Sequence, residues 1–254
     1  MNLEQQLITR RLEPTEQTTL SREVQEIALR QSRYLDGANF RSIHPEDLRR
    51  LFELYDDRYF DGACRQAVGK APLSFRLSPR MTSAGGKTVR EETTRPGRPS
   101  IVKYEIVIST TLLFQTFHDV DRPVSVTGLM CQNRFEALQR IFEHELVHLM
   151  EMVVWVHSSC AQSRFQSIAR RFFGHREHTH QLITPKERAV AKFNIRPGDA
   201  VEFTFEGRRL KGFVNRITKR ATVLVESPTG RPYTDGKSYE KYYVPVASLR
   251  RRPK

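Results

Sequence analysis

The chain is short of cysteine, of acid and of long apolar runs, and each shortage narrows what it can be. Its 254 residues include three cysteines, Cys64, Cys131 and Cys160. Three widely spaced thiols cannot all pair, which argues against a disulfide-stapled secreted scaffold and for a reducing compartment. No window approaches the roughly 18 apolar residues of a membrane helix, and the stretch Leu149–Val156 is interrupted by Glu151. The opening residues, MNLEQQLITRRLEPTEQ, contain no continuous apolar stretch and carry an early acid, unlike a secretory signal. The expectation is a cytoplasmic protein off the membrane. Acid is scarce relative to base: 29 Asp+Glu stand against 42 Lys+Arg, a net +13 with neutral histidine. That excess is uneven, because 17 Lys+Arg and 7 Asp+Glu leave +10 in the 74 residues from Gln181 onward. Such a segment calls for an acidic partner, nucleic acid first.

What is present reads as two domains after a polar start. Residues 1–18 show no sustained period and are expected to fray, with a helix over 21–35, so 1–42 reads as an N-terminal extension. A firmer helix opens at His44-Pro45-Glu46-Asp47, where proline and two acids suit the positive end of the helix dipole. Leu48, Leu51, Phe52, Leu54, Tyr55, Tyr59 and Phe60 follow at helical spacing, and Gly62 stops it. Strands are expected at 72–77 and 104–109, joined by a long, polar, mobile loop holding Gly85-Gly86 and Pro96-Gly97-Arg98-Pro99. Asn133 and Glu136 have capping-box spacing at the head of a largely apolar helix running to Trp155. Another helix runs over 162–173 and ends at Gly174. Beyond a boundary near residue 190, short alternating runs and turn signals predict a small barrel of about five strands.

The chemistry sits on the long apolar helix as His144-Glu145-Leu146-Val147-His148. Four residues make about one helical turn, so both imidazoles project from one face and can share one metal ion. Zinc accepts imidazole nitrogen, and a catalytic zinc takes three protein ligands and a water. The intervening Glu145 can serve as general base toward that water. Glu143 lies almost opposite His148 and is expected to face solvent or a hydrogen-bond partner. A third histidine six residues on is ruled out by Val154, a distant glutamate stays open, and the local candidates are His157, Cys160 and the cluster His175, His178, His180. Cys160 is favoured over His157, because it stands just before a helix N-terminus that would stabilise its thiolate. The three clustered histidines can bind a second metal, order the end of the domain or face the cleft.

Taken together, LxxLFxLYxxRYFxG (48–62), LSFRLSPRMTSAGGKT (73–88), YEIVIS, HELVH and FQSIARRFFGH (165–175) resemble the SprT-like (Spartan-related) zinc metalloproteases of DNA–protein crosslinks. The resemblance covers residues 43–180. It implies an α+β, zincin-like metalloprotease domain over 43–182, zinc on His144 and His148, Glu145 as the catalytic residue, and DNA-bound or crosslinked protein as substrate. The family's third histidine falls on Ala161, which cannot bind a metal, and a one-residue shift puts Cys160 in its place. Its Cys-x-x-Cys zinc ribbon is absent. Residues 193–250 look instead like a basic SH3-like barrel, whose Arg208, Arg209, Lys211, Arg216, Lys219 and Arg220 are candidate DNA contacts. The interleaved Phe203, Phe205, Phe213, Tyr239, Tyr242 and Tyr243 stack on bases if exposed and build the barrel core if buried. The alternatives are a non-catalytic nucleic-acid-binding protein with a structural zinc, and a protein-binding adaptor.

Overall fold

The N-terminal segment, expected to fray, is built into the core. In the computed structural model, which describes residues 1–252, α1 (Leu3–Thr9) and α2 (Pro14–Gln31) bury Leu3, Leu7 and Val24, and Leu12 is buried between them. Asn2 caps α1 with a complete capping box. The apolar residues are too few and too widely spread to show a period, yet Leu3, Leu7, Leu12, Val24, Ala28, Leu35 and Phe40 are buried in the core of the first unit, so 1–42 is part of that unit and not an extension of it.

Two compact units make up the chain. The first holds Met1–Phe117 and Arg122–Leu182. Its helices α3 (Pro45–Phe60) and α4 (Ala63–Val68) precede a three-stranded sheet of β1 (Leu73–Ser78), β2 (Gly86–Arg95) and β3 (Arg98–Ser109), in the order β1-β3-β2. β1 runs parallel to β3, and β2 pairs with it antiparallel. The expected mobile loop is therefore largely a hairpin. Its outer part is largely polar and charged rather than alternating in hydrophobicity, with Glu91 paired across strands to Lys103 at 2.7 Å, so apolar periodicity could not reveal it. α5 (Thr110–Gln115) and a small ladder of β4 (Val124–Val126) and β5 (Leu129–Cys131) lead into α6 (Arg134–Trp155).

α6 is the central helix, burying Phe135, Leu138, Ile141, Phe142, Leu146, Leu149 and Met150 against the sheet, α3 and α7 (Ser163–Phe173). Asn133 caps it through the Glu136 N–H, but the reciprocal arm differs: Glu136 accepts from the Gln132 N–H at 2.8 Å. Glu143 does not face solvent. Its fully buried carboxylate accepts from Tyr55 on α3 (2.7 Å), Arg140 (2.8 Å) and His175 (2.9 Å). Burial pushes this carboxyl up, but Arg140 and the His175 and Tyr55 hydrogen bonds hold it below its ordinary value.

The second unit takes in His118–Asp121 and the chain from Ile183. It begins earlier than the expected boundary, because α8 (Pro185–Phe193) packs Ala189 and Phe193 into its core, and Arg188 on α8 pairs with Asp119 at 2.5 Å. β6 (Ala200–Phe205), β7 (Arg208–Ile217), β8 (Ala221–Pro232), β9 (Ser238–Val244) and β10 (Arg250–Arg251) form one antiparallel sheet, ordered β10-β6-β7-β8-β9. Val201, Phe203, Val214, Val223 and Val244 fill its core. Among the described residues no helix is long and apolar enough to cross a membrane. Helices and sheets together make this an α+β protein.

Candidate metal centre

α6 presents His144 and His148 one turn apart, with ring centroids 4.9 Å from each other. The Phe165 ring of α7 covers both, at 4.9 and 4.5 Å. Cys160 arrives from the segment between the two helices, and one donor atom each from His144, His148 and Cys160 lies within 4.8 Å of the others. No other such trio of histidine, cysteine or acidic side chains occurs among the described residues. His157 is exposed and is not part of the cluster.

The return of the chain to α6 depends on one strained residue. Val156 has φ 69° and ψ −37°, and the His157 N–H donates to the Trp155 carbonyl at 2.7 Å, closing a γ-turn. A β-branched residue at positive φ is strained, and such strain persists only where the surroundings hold it. Here they do. Ser158 Oγ lies 2.7 Å from His148 Nδ1 and donates to Glu151 Oε2 at 2.6 Å. Arg164 Nε donates to Glu151 Oε1 at 2.7 Å, its guanidinium stacks 4.3 Å from the Trp155 ring, and Gln166 Nε2 donates to the Cys160 carbonyl at 3.1 Å.

A hydroxyl has one proton. With that proton on the Glu151 bond, Ser158 accepts from His148 Nδ1–H, and Nε2 is left with the lone pair for a cation. Burial lowers His148 to about 4. Burial, helped by the neighbouring imidazoles of His148, His175, His178 and His180, lowers His144 to about 3. Both rings are therefore neutral at pH 7 and able to donate to a metal. Two imidazoles and a thiol are a donor set suited to zinc, and three ligands leave a fourth position open. The residues present fit that ion.

Glu145, 4% exposed, points toward β2. Thr88 Oγ1 is 2.8 Å from its Oε2 and 2.9 Å from its own carbonyl oxygen. Burial, opposed by the Thr88 hydrogen bonds, raises this carboxyl to about 7. Gly86 lets the strand pass so close: a Cβ there would lie 2.6 Å from both Cγ and Oε1 of Glu145. A cleft of about 370 Å³ reaches Gly86, Ile141, His144, Glu145, His178 and His180, while His148 and Cys160 are not among its walls.

The three clustered histidines have different roles. His175 is buried against Glu143, exposed His178 lines the cleft, and His180 Nε2 accepts the Gly85 N–H at 3.0 Å, holding the loop before β2. Sequence reasoning passed over Thr88, Ser158, Glu151, Arg164 and Phe165. Only the Gly85-Gly86 pair left a signal, and it read as a loop.

In the second unit, Arg208, Arg209, Lys211, Arg216, Lys219 and Arg220 are all exposed. Alternation along β7 puts Arg209 and Lys211 on one face and Arg208 on the other, and Arg209 is paired with Glu202 at 3.1 Å. The aromatics divide: Phe203 and Tyr239 are buried, whereas Phe205 (43%) and Tyr243 (59%) are exposed. No protein-family model matches this chain, and no curated protein or solved structure does either.

Proposed function

We propose that the protein is a zinc metallopeptidase of the zincin-like, SprT-like kind, in which His144, His148 and Cys160 hold the ion and Glu145 is the general base. The observation that carries this reading is the approach of the Cys160 thiol to two neutral imidazoles beside a buried carboxylate. Zinc bound there supplies a Lewis acid for a peptide carbonyl and a water made acidic enough to attack it. Glu145 would take a proton from the attacking water and pass it to the leaving amine, a task suited to a carboxyl raised to about 7. Thr88 holds the carboxyl in both states. It donates to the carboxylate when Glu145 is ionised, and to the Glu145 carbonyl while accepting from Oε2–H when it is protonated.

The family resemblance adds the substrate class, protein bound or crosslinked to DNA. The five antiparallel strands of the second unit then serve as an SH3-like barrel that recruits nucleic acid through its exposed arginines and lysines. The test is cleavage of a basic DNA-binding protein by zinc-loaded enzyme, with and without single-stranded DNA, alongside Glu145→Gln. Cleavage by the parent chain alone, stimulated by DNA, supports the reading. No cleavage from a preparation holding one zinc per chain overturns it in favour of a structural metal.

A further inference from the structure

The outer face of α7 borders a second hollow that the metal centre does not use. Ser163, Gln166, Ser167, Arg170 and Arg171 recur at three- and four-residue spacing and so share one side of the helix. Arg11 and the start of α2 run along this stripe, and Arg176 stands past its end, enclosing a groove of about 700 Å³. From Ser163 to Gly174 the stripe is roughly 16 Å long at the helical rise.

The groove is positive and free of acid. Four of its walls are arginines, Arg11, Arg170, Arg171 and Arg176, and no acidic residue is among the described residues that line it. The side chains of Arg11, Arg170 and Arg176 are exposed and make no ion pair among the described residues. Arg171 is different: it donates to the Leu7 and Arg10 carbonyls and so builds the wall. Burial first, and the nearby Arg11 charge second, push its guanidinium below the ordinary value.

The negative end of the α7 dipole, which would repel an anion, is muted. Gln17 Nε2 donates to the Arg170 and Arg171 carbonyls at 3.1 and 2.9 Å, and the Leu12 N–H donates to the Arg171 carbonyl at 3.1 Å. His175, 3% exposed, also borders the groove, and its Nδ1 has no hydrogen-bond partner among the described residues.

We propose that this groove binds consecutive phosphates of a single nucleic-acid strand, as a site separate from the basic strands of the second unit. Exposed guanidiniums contact phosphate oxygens in pairs, and the Ser163 and Ser167 hydroxyls add neutral donors along the same line. The length of the groove selects an extended strand over one small anion. Base identity goes unread, so binding is tolerant of sequence and steep in salt.

The test uses the full chain and reads binding, independently of proteolysis. Fluorescence anisotropy with an oligothymidylate of about 20 nucleotides, over a range of salt, compares the parent with the triple variant Arg11→Gln, Arg170→Gln, Arg176→Gln. Three lost phosphate contacts lower the slope of log affinity against log salt by about 2 and weaken binding by roughly tenfold or more near physiological salt. A companion variant, Arg208→Gln with Lys211→Gln and Arg216→Gln, measures the second unit's share. Inorganic pyrophosphate, followed by thermal shift, separates a strand from a free phosphate ligand. Loss of affinity and slope in the triple variant supports the site. Parent-like affinity and slope overturn the strand, and a pyrophosphate shift lost in that variant then reassigns the groove to free phosphate.

Discussion

Replacing Ser158 with alanine removes the hydroxyl that links His148 to Glu151 while leaving every proposed ligand and the base in place. His148 Nδ1 loses its acceptor at 2.7 Å, so neither the tautomer that exposes Nε2 nor the ring orientation is any longer enforced. Loss of such a hydrogen-bond partner costs a metal-binding histidine about 10–100-fold in metal affinity, or about 1.4–2.7 kcal/mol. The buried Glu151 carboxylate is not orphaned, because Arg164 still donates to it at 2.7 Å. The metal-free protein therefore loses only about 1 kcal/mol, the net worth of an ordinary hydrogen bond. Competition for zinc against a chromophoric chelator measures the first quantity, and urea denaturation of the metal-free chain the second. Zinc affinity within twofold of the parent, in a variant of unchanged fold, would refute the Ser158 relay. A collapse of metal-free stability would refute the claim that Arg164 suffices for Glu151.

Three further outcomes are expected. Gly86→Ala places a methyl 2.6 Å from the Glu145 carboxyl, which swings away; the proposed peptidase activity is lost while the proposed zinc stoichiometry and the circular dichroism are retained. Leu7→Ala, at a buried position of the N-terminal helix, destabilises the first unit by about 2–5 kcal/mol in urea, whereas a frayed segment would give no change. Metal-free stability falls as pH drops from about 6.5 toward 4. The folded state keeps His144 and His148 neutral down to about 3 and 4, whereas the unfolded chain takes up both protons below the ordinary histidine value. Glu145, raised to about 7, opposes this by one proton between its ordinary value near 4.5 and 7, so the net slope stays positive. A urea midpoint that is flat or rises toward acid would contradict the assignment.

The sequence was most readable where one element carries both pattern and chemistry. α3 and α6 announce themselves by apolar spacing, by Pro45 and by Asn133, and the helix face proposed to hold the metal follows from His144 and His148 alone. It was least readable where structure rests on pairing between distant positions. β2 is strongly charged along its length, so its strand character comes from β3 and from Glu145 rather than from its own alternation. Ser158 and Glu151 are an ordinary serine and an ordinary helix acid until a positive-φ turn brings them together. Glu143 was judged by its angle on the helix, which places a side chain but does not say what stands opposite; Tyr55 and His175 come from 88 and 32 residues away.

The γ-turn at Val156 also sets a limit on length. Most loops accept an inserted or deleted residue, because only their ends are fixed. The segment from Trp155 to Cys160 is fixed throughout: at the turn, at the Ser158 hydroxyl and at the thiol. One residue more or less before Ser158 would break the link to His148, and one after it would carry the thiol off the imidazoles. Chains that share this arrangement should keep the spacing from His148 to Cys160 unchanged even as its other residues drift, so that distance along the chain marks the site as much as the residues themselves.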